Sequence, residues 1–240
     1  MEEIIKALNV LKKEKVRELW IKTTPSIDPK RVLGVYLPDI RRLARQVQNT
    51  PKAEVFLHTL PHTFLEENVL HGILVTQIKD FRKCLKGIDA FLPFVDCWGV
   101  CDTMISRIAL EKVFRGNEKE LLKQVEKWLS SKHPYTVRYG IGILMNFFLK
   151  GSTLDTHIAD KVAGIRFDHY YVNMMRAWFF ATALCKHYDT ALSYLEQRRL
   201  DVWTHNKTIQ KAVESRLPTE AQKQYLKTLK IKPVKTVTSA

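Results

Sequence analysis

The sequence predicts an all-α protein, organised as a curved solenoid of about six HEAT-like antiparallel helix pairs, and three observations carry that expectation. Apolar residues recur at intervals of three and four in almost every segment, while period-2 runs of the strand type are absent. Proline, glycine and capping residues punctuate the chain at short intervals, as brief connectors between short helices require. Arg138 follows Asp102 by 36 residues and Trp178 follows Arg138 by 40, close to the period of about 40 residues typical of HEAT-like pairs. Composition shows no break, which favours one domain over residues 1–230 followed by a basic, flexible tail at 231–240. A compact irregular helical bundle is the alternative arrangement.

Taken in order, residues 2–22 read as one helix, with Ile4, Ile5, Leu8, Leu11, Val16 and Leu19 available for its buried side. Pro25 and Pro29 break it, since each lacks the amide donor and disfavours helix in the residue before it. Pro38 suits the first turn of the next helix, whose Arg41, Arg42 and Arg45 form a basic face. Pro51 and Pro61 bracket a short helix, and Thr63-Phe64-Leu65-Glu66 has the form of a capping box opening a helix to about Lys79. Asp80 caps the following one. A helix from Cys97 to about Phe114 ends at Gly116-Asn117, where Asn117 with Glu120 caps 118–130. Pro134 starts the helix bearing Arg138, Gly151-Ser152 closes it, and a shorter helix runs to about Gly164. His169 to Cys185 is the most apolar and aromatic segment. Asp201 opens a helix through Glu214, and Pro218-Thr219 introduces a last one.

Lysine and arginine number 39 against 25 acidic residues, a net charge of +14, which favours an anionic partner such as a nucleic-acid backbone. The longest apolar stretch, Tyr139 to Leu149, is far short of the about 20 residues a membrane span needs. Met1-Glu2-Glu3 lacks the basic start of a signal peptide, so a cytoplasmic protein is expected, associated with the nucleoid when bound to DNA. Four cysteines, at 84, 97, 101 and 185, show neither disulfide-scaffold density nor a CxxC pair. Cys97 and Cys101 are therefore expected as buried structural thiols. Neither a nucleotide loop nor a metal-ligand set is legible, so neither cofactor nor metal is expected, and nothing points to an obligate protein partner or an oligomer.

The chemistry gathers in Cys97-Trp98-Gly99-Val100-Cys101-Asp102, where an indole and a carboxylate four residues apart share one helical face. Spacing places Trp98, Asp102, Arg138 and Trp178 at equivalent positions on successive repeats, able to line one surface.

These residues, with Leu33-Gly34-Val35, Pro38, Arg41-Arg42, Ala177-Trp178 and Asn206-Lys207 followed by Ile209-Gln210-Lys211-Ala212, make the chain resemble the AlkD-like DNA alkylation repair enzymes, HEAT-like-repeat DNA glycosylases. The resemblance implies a C-shaped solenoid whose concave face holds duplex DNA, and release of cationic N3- or N7-alkylated purines. It assigns Asp102 as the catalytic carboxylate, Trp98 and Trp178 as cleft tryptophans and Arg138 as a cleft arginine at a phosphate. Lys207 and Lys211 join Arg41, Arg42 and Arg45 as expected DNA contacts. The chain departs from the family pattern at Cys97, where a second aromatic is common, at Gly99, where a polar residue is common, and at Ala181, where a basic residue can occur.

Cleavage of a glycosidic bond commonly takes two carboxylates, one acting as general acid. A purine alkylated at N3 or N7 already carries positive charge and departs neutral, so a single carboxylate suffices. A non-catalytic helical module binding nucleic acid or protein is the reading from another class.

Overall fold

A computed structural model of the chain describes residues 2–151 and 153–232. Among the described residues every regular element is helical. Fifteen α-helices occur, namely α1 (Glu2–Val10), α2 (Glu14–Thr23), α3 (Leu37–Val47), α4 (Pro51–His58), α5 (Leu65–Thr76), α6 (Phe81–Phe91), α7 (Trp98–Met104), α8 (Arg107–Phe114), α9 (Glu118–Leu129), α10 (Pro134–Ile143), α11 (Thr156–Gly164), α12 (Tyr170–Lys186), α13 (Tyr188–Glu196), α14 (Val202–Glu214) and α15 (Glu220–Thr228). None of these helices is long and apolar enough to cross a membrane. Contacts gather into two compact units, one ending at Tyr139 and one beginning at Gly140.

Local capping chemistry explains several helix starts. Pro38 sits in the first turn of α3, Thr50 caps α4, Asp80 accepts from the Lys83 amide at 2.8 Å, and Asp201 accepts from the Thr204 amide at 2.9 Å. Thr219 and Gln222 form a reciprocal box at α15. Four expectations need correction. The helix expected over 2–22 is two helices, because Lys13 turns extended and donates its amide to the Gly34 carbonyl at 2.8 Å. Leu19 is accordingly exposed, and only Ile4, Leu8 and Val16 of the expected apolar face are buried. The helix expected from Cys97 to Phe114 breaks at Ile105-Ser106, between α7 and α8. The box placed at Thr63 and Glu66 is made one residue later, where Glu67 accepts from the Phe64 amide at 2.7 Å and the Thr63 amide at 3.1 Å. At α9, Asn117 makes no side-chain cap; Glu118 turns back to the Gly116 amide at 3.0 Å instead. The helix α13 occupies a segment to which the sequence reading assigns no element. Of the expected tail, residues 233–240 lie outside the described residues, as does Ser152.

In the first unit, α5 is the centre. All twelve of its residues are buried, and it packs against α1, α3, α4, α6 and α7. Glu66, freed from capping, is fully buried and accepts from three successive amides, Leu33 at 2.9 Å, Gly34 at 2.7 Å and Val35 at 3.2 Å. Such bonds to a charged acceptor are worth about 1.5–3 kcal/mol each. Gly34 has φ +89°, and a Cβ there would lie 2.6 Å from Arg17 Cβ and 2.7 Å from the Lys13 carbonyl, so glycine alone fits. Arg17 completes the clamp by donating to the Val32 and Pro29 carbonyls at 3.0 and 2.9 Å.

In the second unit α12 is the hub, packed against α11, α13 and α14. Arg176 is buried there and joins three elements. Its guanidinium donates to the Val162 and Ala163 carbonyls at the end of α11, to Asn173 on its own helix, and to Asp201 (2.6 Å) and Thr204 at the start of α14.

A pair of buried histidines carries a measurable consequence. His62 Nε2 and His71 Nδ1 are 2.9 Å apart, with Phe56 stacked on His62 and Phe91 on His71. Burial pushes the pKa of His62 down to about 4, and burial followed by the neighbouring imidazoles pushes His71 down to about 3. A histidine whose folded pKa is depressed stabilises the fold above its unfolded value near 6.5, and that contribution is lost as pH falls toward the folded value. Urea denaturation at pH 7 and pH 5 is expected to differ by about 2 kcal/mol for each ring, and His71→Gln to remove its share. Equal pH dependence in wild type and variant would contradict this.

Candidate active site

The site is built on α7, which begins directly after an extended Cys97 and packs along α5. Its seven residues place Trp98 and Asp102 one turn apart on the same face. From α10, Arg138 reaches this face and forks the carboxylate, with Nε to Oδ1 at 2.9 Å and Nη2 to Oδ2 at 2.7 Å. The two partners differ in exposure: the Arg138 side chain is 2% exposed and that of Asp102 24%. Burial works against the guanidinium's charge, but attraction to Asp102 and the paired hydrogen bonds outweigh it and raise its pKa above the usual value. Beside the fork, Cys101 Sγ lies 3.6 Å from the Tyr135 carbonyl, a second contact between α7 and α10. The outcome is a carboxylate fixed from behind by a planar, permanent cation and open to solvent at its front.

An aromatic wall stands beside it. Trp98 is half-buried, its indole N–H donates to the Thr23 carbonyl at 2.9 Å, and its ring lies 6.1 Å from that of Trp20 on α2. Trp20 was not legible as a site residue. The only signal for it is its position one turn after the buried Val16, which the break between α1 and α2 obscures. Gly99 explains how it fits, because a Cβ there would lie 2.5 Å from Trp20 Cζ3 and 2.8 Å from Cη2. The departures at Gly99 and Cys97 thus have local reasons. Gly99 leaves room for the second indole, and Cys97 is a fully buried thiol whose pKa burial pushes up to about 12. Cys101 is likewise buried, in accord with the expected structural thiols.

The other expected residues divide between the units. On α3, Arg41 is half-buried while Arg42 and Arg45 are exposed, and Arg42 ion-pairs with Asp39 of the same helix. On α12, Trp178 is half-buried and Ala181 buried. On α14, Lys207 is half-buried, bonds to Gln210 at 2.8 Å and holds its Nζ 5.6 Å above the Trp203 ring, while Lys211 pairs with Glu214 at 2.8 Å. The first unit therefore brings Trp98, Asp102 and Arg138 together with Trp20; Trp178, Lys207 and Lys211 stand on helices of the second.

Fold and site together define an all-helical protein with one oriented, solvent-facing carboxylate beside paired indoles. A family model described as DNA alkylation repair enzyme matches residues 4–169, and the chain belongs to that family. Its work is accordingly repair of alkylation damage, with DNA as the substrate. The matched stretch holds Trp98, Asp102 and Arg138 and ends where α12 begins, so Trp178, Lys207 and Lys211 lie beyond it. No curated protein matches the chain.

The tight seat of Trp20 on Gly99 makes a direct test. Gly99→Val is expected to displace the Trp20 ring, alter tryptophan emission and cost about 1–3 kcal/mol from overpacking. Unchanged emission and stability would show that the two residues are not in contact.

Proposed function

We propose that the protein is a monofunctional DNA glycosylase that hydrolyses the N-glycosidic bond of cationic N3- and N7-alkylated purines in duplex DNA. The observation that carries the reading is the Asp102 carboxylate, forked by the buried Arg138 and facing solvent beside Trp98. Loss of a cationic purine leaves positive charge on the deoxyribose, and a carboxylate that is already oriented stabilises it without reorganisation. Asp102 then directs water to the anomeric carbon and takes up its proton. Base departure needs no acid, because the alkylated ring leaves as a neutral molecule, which is why one carboxylate serves where two are usual.

Trp98 supplies an aromatic surface to the cationic sugar, an interaction of about 0.5–2 kcal/mol depending on desolvation. Trp178 has the same role by the family resemblance. We assign Arg138 to orienting Asp102, since its fork is committed to that carboxylate. Phosphate contacts fall to Arg41, Arg42, Arg45, Lys207 and Lys211, which carry no base information and predict little sequence preference. Pairing of the helices as HEAT-like repeats belongs to the same proposal.

Asp102→Asn is expected to lower release of N7-methylguanine and N3-methyladenine from duplex DNA at least about 100-fold while leaving DNA affinity within a few-fold. Base release by the variant at the wild-type rate would reject Asp102 as the catalytic group. Phosphate-led binding also predicts salt dependence: affinity for duplex DNA falls about 10²–10³-fold between 50 and 200 mM salt if about five phosphates are neutralised. Weak, salt-independent binding would favour a protein-binding module instead.

A further inference from the structure

Beyond the family match, the second unit carries a surface of which the glycosylase reading uses only Lys207. A groove of about 450 Å³ is lined by Trp203, Asn206, Lys207, Gln210, Lys230, Ile231 and Lys232. Three of these are lysines and none is acidic. Trp203 is 39% exposed and Tyr170 56% exposed, and their rings meet edge to face at 5.6 Å. The groove wall is fixed. Asn206 Nδ2 donates to the Ile231 carbonyl at 2.8 Å and Asn206 Oδ1 accepts from the Ile231 amide at 2.9 Å, while His205 Nε2 lies 2.9 Å from the Leu229 carbonyl. Those bonds fix the backbone of the segment that brings Lys230 and Lys232 into the groove lining with Lys207 and Trp203.

We propose that this groove is a binding site for an unpaired nucleotide of single-stranded DNA, with a base stacked on the exposed ring of Trp203, which Tyr170 meets edge to face from outside the groove lining, and the flanking phosphates on Lys207, Lys230 and Lys232. Paired bases keep their faces inside the duplex, so duplex contacts to phosphate employ cations and have no need of an exposed indole. An aromatic platform set among lysines matches instead what a single strand offers, which is a flat base face next to a charged backbone. The Lys207 ammonium now above the indole turns to a phosphate when a base takes its place, exchanging a cation–π contact for an ion pair. The inference rests on the reading of the chain as a DNA-binding protein, and assigns the second unit an affinity for unpaired nucleotides.

The test uses the full chain and two probes at the same salt concentration, a 12-nucleotide dT oligomer carrying one central 2-aminopurine and a 12-base-pair duplex. Stacking is expected to quench the 2-aminopurine on binding. Trp203→Leu should weaken the single strand about tenfold with duplex affinity unchanged, and Trp203→Phe should restore most of it. Matching thermal unfolding of wild type and variants establishes that the loss is local. Equal affinity of wild type and Trp203→Leu for the single strand, or equal loss on both probes, overturns the stacking site while the DNA-binding reading stands. Absence of binding to either probe at low salt overturns both.

Discussion

A helix buried on every side has no water to satisfy its polar side chains, and α5 carries five of them. Glu66 takes the amides of Leu33, Gly34 and Val35; Glu67 takes those of Thr63 and Phe64; Asn68 donates to Phe64; His71 meets His62; and Thr76 returns to its own helix at Gly72. Glu66, the pair Glu67 and Asn68, and His71 thereby tie α5 to three other stretches of the chain, residues 33–35, residues 63–64 and His62, because leaving a buried polar group unpaired is costly. The apolar side chains of α5 alone would allow it to rotate or slide against its neighbours. The polar ones permit a single arrangement, and the approach of α3 follows from where Glu66 pins residues 33–35.

That arrangement also sets α7, which lies along α5 and carries the carboxylate. A seven-residue helix has little stability of its own. What holds this one is contact with α5 and the contacts from α10, of which the Arg138 fork is the stronger. Desolvating a guanidinium is expensive unless an anion compensates, so the arginine needs the aspartate for folding as much as the aspartate needs the arginine for position. The same two residues therefore serve architecture and chemistry, and the division between them is spatial: the buried half stabilises and the exposed half acts.

Elements marked by local chemistry were legible in the sequence. Pro38, Asp80, Asp201 and Thr219 each act within one turn of themselves, so their helices start where those residues indicate. Features set by partners far along the chain were not. The break at Lys13 depends on the Gly34 carbonyl, Glu66 reads locally as a cap yet bonds more than thirty residues away, and no proline or glycine marks the break at Ile105-Ser106. The site divides the same way. Trp98 and Asp102 were readable from helical spacing, and Arg138 from its interval and the family resemblance. Trp20 reaches Trp98 across more than seventy residues of sequence, and its place is prepared by the absence of a side chain at Gly99, a vacancy that reads as a loss until its occupant is known.

The buried thiols have a meaning outside the architecture. Small alkylating electrophiles that damage purines also attack protein nucleophiles, foremost the cysteine thiolate. Cys84, Cys97 and Cys101 are shut into the core, where burial holds each thiol protonated far above neutral pH. Only Cys185 is partly accessible. Three of the four thiols of a protein that works on alkylated DNA are thus withheld from the kind of reagent that creates its substrate.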